Sequence, residues 1–388
     1  MDVKVRPEPR GKSNRVRLAL LALTVALSIA APASAANSDA VIATIPVPGE
    51  PFASISTHDG RILFVSISVI GGHGGVVVFR VTPKGLERIG FVALRTATAF
   101  GMALLADDSA LLVADGDGVA LVDAVAARSG VQTDPVYVDD GSGAGTIEVS
   151  ATSDGRTAFA SDENLAQVSV LRIARQPNGA PGAVGVGRIA VDRGPVGFAF
   201  SPDGATLYLA SEIAIRAGTV ADATGQLTRP CPAGTAIGTL TAIDVARATV
   251  VARLAAGCSP VRVVVTANGA TVWVSVRGED RVVAFDAAKI RSDPTHAFVT
   301  QAAVGSAPVG MALLAHDSLL AVANSNRFDT GSTASTVTVL QLGAAPSPHS
   351  SFATGSFPRE FSVSPNGSVL FLTNYNSRTV EMIDVGRL

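Results

Sequence analysis

Glu148, Arg262, Arg359 and Glu360 are the residues whose types and placing most readily suggest chemistry. Glu148, Arg262 and Glu360 fall at the same point of a repeated unit, and Arg359 stands one position before Glu360. Carboxylates and guanidinium groups gathered at one place would orient an anionic or polyol ligand. They would also polarise a carbonyl through arginine and activate water through glutamate. The same charges equally make a salt-bridge network joining neighbouring units, so both readings stand at the level of sequence.

The unit is set by seven tight turns, centred on Asp59, Asp107, Asp154, Asp203, Asn268, His316 and Asn366, with gaps of 48, 47, 49, 65, 48 and 50 residues. Short apolar runs flank each turn, as in Val196–Phe200 before Asp203-Gly204 and Leu207–Ala210 after it. Such runs split by Asp-Gly or Asn-Gly predict antiparallel hairpins, and a period of about 40–50 residues built of short strands predicts a propeller. The fold class is therefore all-β, a seven-bladed β-propeller with four strands per blade, A to D from the centre outward. The turns join A to B. Aligned on them, the start of strand A carries Ala53, Gly101, Glu148, Gly197, Arg262, Gly310 and Glu360. Four are small, as expected where backbones crowd a narrow axis, and three carry charge to one mouth of the channel.

Blade 7 reads as A over Arg359–Ser364, B over Val369–Asn374 and C over Thr379–Val385, after which the chain ends without strand D. Val41–Val47 resembles a D strand, like Val250–Ala255 of blade 4, so the N-terminal strand should complete blade 7 and remove an exposed edge. The 65-residue gap places an insertion of about 213–238 between strands B and C of blade 4, with Pro230, Pro232 and several glycines marking irregular chain. Cys231 lies in it and Cys258 in the loop entering blade 5. Both fall on one face, so an oxidising compartment would join them as a disulfide.

The ends of the B strands add a second ring on the face of the charged column: Asp115, Asp162, Ser211, Arg277, Asn324 and Asn374, with Glu163, Glu212 and Tyr375 nearby. Asn324 and Asn374 are expected to satisfy loop backbone. Asp162, Glu212 and Arg277 join Arg359 as ligand-binding candidates. His73, within Gly71–Gly75, is a further candidate and would be a natural general base. Oxygen-rich clusters suit Ca²⁺ or Mg²⁺, but no contiguous calcium loop, H-E-x-x-H, nucleophile elbow, Walker loop or C-x-x-C-H is present. The expectation is no resident metal and no cofactor.

Residues 1–35 read as a Sec-type leader: a basic start, the apolar run Leu18–Ala31 and a small-residue cleavage site at Ala33-Ser34-Ala35. Residues 36–388 would then form a single propeller, secreted or periplasmic and free of the membrane. Removing the leader takes away six basic and two acidic residues and moves the net charge from −2 to −6, which argues against nucleic acid as a partner. A small molecule or a protein remains as partner.

Phe371-Leu372-Thr373-Asn374, followed by Arg378–Asp384, resembles the YVTN-type β-propeller repeat, as do Ser201–Ala210 and Ser364–Gly367. Repeats of this kind are similar to those of surface-layer and other exported proteins. They are also related to the seven-bladed propeller lactonases, which resemble 6-phosphogluconolactonase and the muconate-cyclising enzymes. Two functions follow as expectations. One is a non-catalytic binding or interaction module. The other is a lactonase-like hydrolase, in which Arg262 would hold a carbonyl or an anionic group and Glu148 or Glu360 would act through water.

Overall fold

Each of the seven turns reverses the chain where the sequence places it. The computed structural model describes residues 38–388 apart from 70, 133, 178, 215–219, 226–229 and 329–334. The expected leader lies outside the described residues. In five turns one network recurs. The hydroxyl of Thr57, Thr152, Ser201, Thr266 or Ser364 donates to Oδ1 of the Asp or Asn two residues on, at 2.5–2.8 Å. That oxygen accepts the N–H two residues further on, at 2.9–3.1 Å. The N–H that opens or immediately precedes the next strand then donates back to the hydroxyl. The following glycine sits at φ of 66–72° in all five, where a β-carbon is disfavoured.

Blades 2 and 6 lack that glycine. Asp108 (φ 54°) and Asp317 (φ 63°) take left-handed geometry instead, within what Asp tolerates. Each carboxylate reaches back to the preceding blade. Asp108 accepts from the His58 N–H at 3.1 Å and lies 2.7 Å from Nδ1 of its ring, and Asp317 accepts from the Ala267 N–H at 2.5 Å.

The described strands form seven four-stranded antiparallel sheets. Their A strands are Glu50–Ser56, Met102–Leu104, Thr146–Ala151, Arg193–Phe200, Pro260–Val265, Pro308–Leu314 and Pro358–Val363. Neighbouring A strands touch around the ring, the last meeting the first. Hydroxyls on strand B stitch these contacts: Ser161 donates to the Val196 carbonyl, Ser275 to Val309 and Thr373 to Phe52, at 2.7–2.9 Å. The core fills the spaces between blades, as where Phe159 and Val170 meet Phe198 and Leu209, or Trp273 meets Met311 and Val322.

The last blade closes as expected. Val41–Pro46 pairs antiparallel with Thr379–Asp384 and forms the outer strand of that sheet. Strands A and C of this blade end one residue short of the limits read from sequence, at Val363 and Asp384. Asp384 instead caps the final turn through the Gly386 N–H. The blade 4 insertion runs between Ile213 and Ile237, and its Ala221 bridges Leu254 in parallel at the outer edge of the blade. The Cys231–Cys258 disulfide is formed, with Cα atoms 5.7 Å apart. Cys258 is the last residue of strand Thr249–Cys258 rather than part of the following loop, because Ile237 still pairs with it. Among the described residues no helix is long and apolar enough to cross a membrane.

Candidate functional site

The charged column converges because the A strands of blades 3, 5 and 7 each start with an irregular step. The ladders of blades 3, 5 and 7 shift register at Thr146/Glu148, Pro260/Arg262 and Pro358/Phe361. A bulge turns a side chain off the alternation of the strand. The serine or threonine opposite on strand B then holds the backbone: Ser275 Oγ accepts from the Arg262 N–H and Thr373 Oγ1 from the Glu360 N–H, both at 3.1 Å.

Small residues make the room. A β-carbon on Gly101 would fall inside contact distance of the Glu148 carboxylate. One on Gly197 would stand 2.5 Å from the Val261 carbonyl oxygen and 2.6 Å from Arg262 Cδ, and one on Gly310 would strike the Arg359 carbonyl. Each glycine therefore makes space for the charged strand of the next blade.

Arg262 lies between two carboxylates. Its Nε donates to Glu360, its Nη2 is 3.7 Å from Glu148, and its Nη1 donates to the Val261 carbonyl at 3.2 Å. Burial works against its charge, yet Glu360 and Glu148 outweigh that and hold the guanidinium above its ordinary value. Burial also pushes the Glu148 carboxyl up to about 8, against the pull of Arg262 and with the Glu360 charge adding to the rise. Its carboxyl is therefore largely protonated near neutrality.

Arg359 is placed differently. It is 8 % exposed, forms no ion pair among the described residues, and its Nε is buried without a hydrogen-bond partner. Its guanidinium carbon lies 4.5 Å from the Phe52 ring centroid and 5.3 Å from that of Phe357. Burial, with the like charge of Arg262, lowers it to about 10. Phe357 itself sits at φ 58°, an outlier for a bulky side chain. Ser259 and Ala307 hold the same conformation before Pro260 and Pro308, but only in blade 7 is the residue aromatic.

Around these lies a second group of charges. Arg277 donates to Glu212 at 2.8 Å, and Arg277 lies over the Phe328 ring at 5.7 Å. Glu163 is drawn close when the Gly194 N–H bonds its carbonyl, and Gly194 touches Glu212. Burial, then the Glu212 charge, raises the Glu163 carboxyl, with Arg277, Arg327 and Arg359 opposing. Burial lowers Arg277.

The other residues singled out in the sequence stand elsewhere or are occupied. Asp162 is fully buried and accepts from Thr146, Gln167 and Ser169, so it serves its own blade. Asn374 bridges the hydroxyls of Thr354 and Thr379, and Asn324 donates to those of Thr336 and Thr338, so both amides meet threonine side chains rather than the loop backbone expected of them. His73 is exposed and its ring bonds the Leu94 carbonyl. Among the described residues no group of three or more His, Cys, Asp or Glu side chains is arranged to hold a metal ion. Phe52, Phe357 and Arg327 belong to the site but escaped the sequence reading. Phe52 stands one place before the column, while a left-handed phenylalanine leaves no sequence signal. Two clefts lie on the opposite, A–B turn face. One of about 280 Å³ is lined by Asp107, Asp154 and Arg175, and another of about 490 Å³ by Trp273, His316 and Asp317. Neither gathers charge as the channel mouth does.

The family model "Lactonase, 7-bladed beta-propeller" matches residues 148–333, slightly under half of the chain. The chain resembles the seven-bladed propeller lactonases. The matched span contains Glu148, Glu163, Glu212, Arg262 and Arg277, and ends before Arg359 and Glu360. None of the curated proteins matches the sequence. Solved structures share the fold. A chain of Kuenenia stuttgartiensis hydrazine synthase superposes with a TM-score of 0.62 at 19 % identity, over 88 % of this chain and 96 % of that one. A chain of a mitotic checkpoint complex reaches 0.66 at 12 % identity, over 96 % and 99 %. The Cps50 (Swd1) β-propeller domain of Myceliophteria thermophila gives 0.62 at 12 % identity, over 88 % and 100 %. At these identities the likeness is one of architecture.

Proposed function

We propose that the protein is an exported binding module that holds a small polar ligand at the mouth of its axial channel. One observation carries this reading. At the axis Arg262 is committed to Glu148 and Glu360, whereas beside it Arg359 is buried with its Nε unbonded, and Glu163 stands half-buried nearby. The first group supports the ring, and the second is available to a ligand. Export rests on the basic and apolar leader of residues 1–35 and accords with the disulfide. The test is a thermal-shift screen of the purified protein against neutral polyols, sugars, lactones and small anions. Stabilisation by at least one class, weakened in Glu212→Gln, is the expected result; no shift with any compound would sink the reading.

A second reading, a lactonase-like hydrolase, is favoured by the family match and by the Glu148 carboxyl, raised by burial, 3.7 Å from the Arg262 guanidinium. There Arg262 would hold the lactone carbonyl, and Glu148 or Glu360 would act through water. Turnover of sugar or aliphatic lactones by the wild type, lost in Arg262→Ala with folding checked by melting, would establish it in place of the first. Binding without turnover leaves the module.

A further inference from the structure

We propose that Arg359 is the anchor of a small organic anion, whose carboxylate or phosphate group is held at the channel mouth. The inference rests on the binding-module reading and names the chemistry of its ligand.

A guanidinium removed from water normally has a carboxylate or a set of carbonyls to meet it, because an unpaired buried charge is costly. Among the described residues the other two buried arginines have such a partner: Arg262 has Glu360 and Glu148, and Arg277 has Glu212. Arg359 has two aromatic rings and an unbonded Nε. Rings attract a cation weakly and leave its N–H donors unused. A guanidinium edge is shaped for a two-oxygen acceptor.

Phe357 strengthens the case. Its left-handed backbone costs free energy that Ser259 and Ala307 bear at lower steric penalty, and the gain is a ring over Arg359. Backbone strain of this kind collects at binding sites. The Phe357 N–H is fixed to Ser335 Oγ at 3.2 Å, and its ring meets Tyr375 edge-on at 6.0 Å, so the ring is held in place before any ligand arrives.

The experiment compares wild type with Arg359→Met and Arg359→Lys in chloride buffer of constant ionic strength. The probes are gluconate, succinate, inorganic phosphate and, as a neutral control, sorbitol. Gluconate or succinate against phosphate distinguishes a carboxylate ligand from a phosphate one. The expected result has three parts. An anion raises the wild-type melting temperature and sorbitol does not. Arg359→Met melts roughly 2–4 °C higher than wild type without probe, as an unpaired charge is removed, and it loses the anion response. Arg359→Lys keeps the response with affinity about tenfold weaker, having lost the planar fork. Three results overturn the proposal. If Arg359→Met melts lower than wild type and still responds to anions, Arg359 is structural. If no anion acts while a neutral compound of the screen does, the ligand is not an anion and the binding reading survives. Silence from every compound removes both.

Discussion

Arg262 shows how one residue at the axis dictates its neighbours. Its guanidinium must meet Glu360 and Glu148 in a space where seven backbones converge, and that is possible only because Gly101 and Gly197 carry no side chain. The two glycines make separable predictions. At Gly101 the nearest obstacle is the Glu148 carboxyl, while at Gly197 it is the Val261 carbonyl oxygen. Gly101→Ala should cost about 2 kcal/mol and Gly197→Ala at least as much. Much of the first cost should vanish in a Glu148→Ala background, and none of the second. Gly185→Ala, with open space around it, is the neutral comparison. Denaturant melts of the four single and two double variants read this directly. Equal costs at Gly101 with and without Glu148 would show that the carboxylate does not fill that space.

At the scale of elements, closure by the N-terminal strand is the strongest claim. Val41–Pro46 covers the edge of Thr379–Asp384, and Ile45 and Ala43 pack into the cluster shared by blades 7 and 1. Deleting residues 41–46 should expose that edge, lower the melting temperature by at least 5 °C and promote association. An unchanged melt would mean that the ring is held shut without it. This closure was legible because Val41–Val47 matches the pattern of an outer strand, and the seven turns were legible because Asp-Gly and Asn-Gly advertise their geometry. Blades 2 and 6 were legible only in part. Nothing in Asp107-Asp108 or His316-Asp317 announces that the second aspartate will replace glycine and grip the preceding blade. The charged column emerged from alignment of the turns, since repeats place equivalent residues at equivalent depth. Its register steps and the hydroxyls of Ser275 and Thr373 did not, being set by contacts between strands about 13 residues apart and between blades. Asp162 looked like a ligand group for the same reason. Its partners Thr146, Gln167 and Ser169 come together only once three strands are paired.

Across the whole molecule the titrating groups push stability in two opposing directions. In the folded state Glu148 is raised to about 8 from 4.5 and Asp140 to about 6 from 3.8, both chiefly by burial. A raised carboxyl holds its proton more tightly when folded, so its contribution is full below the unfolded value and declines as pH rises toward the folded one. The window is therefore from about pH 4 to about pH 8. The turn carboxylates Asp59, Asp107, Asp154 and Asp203 act oppositely. Hydrogen bonds from Thr57, Ser109, Thr152 and Ser201 respectively hold them below 3.8, so their contribution is present above that value and is lost as pH falls through the folded one. Together these groups place the stability maximum on the acid side of neutrality, near pH 4–5. Melting temperature should decline from there to pH 8 in the wild type, and the decline should be shallower in Glu148→Gln, whose amide keeps the shape and cannot ionise. A Glu148→Gln protein whose melting curve tracks the wild type at every pH would show that the axial carboxyl does not titrate in this range. Its charge state beside Arg262 would then be fixed across that range, and the decline toward alkaline pH would fall to Asp140.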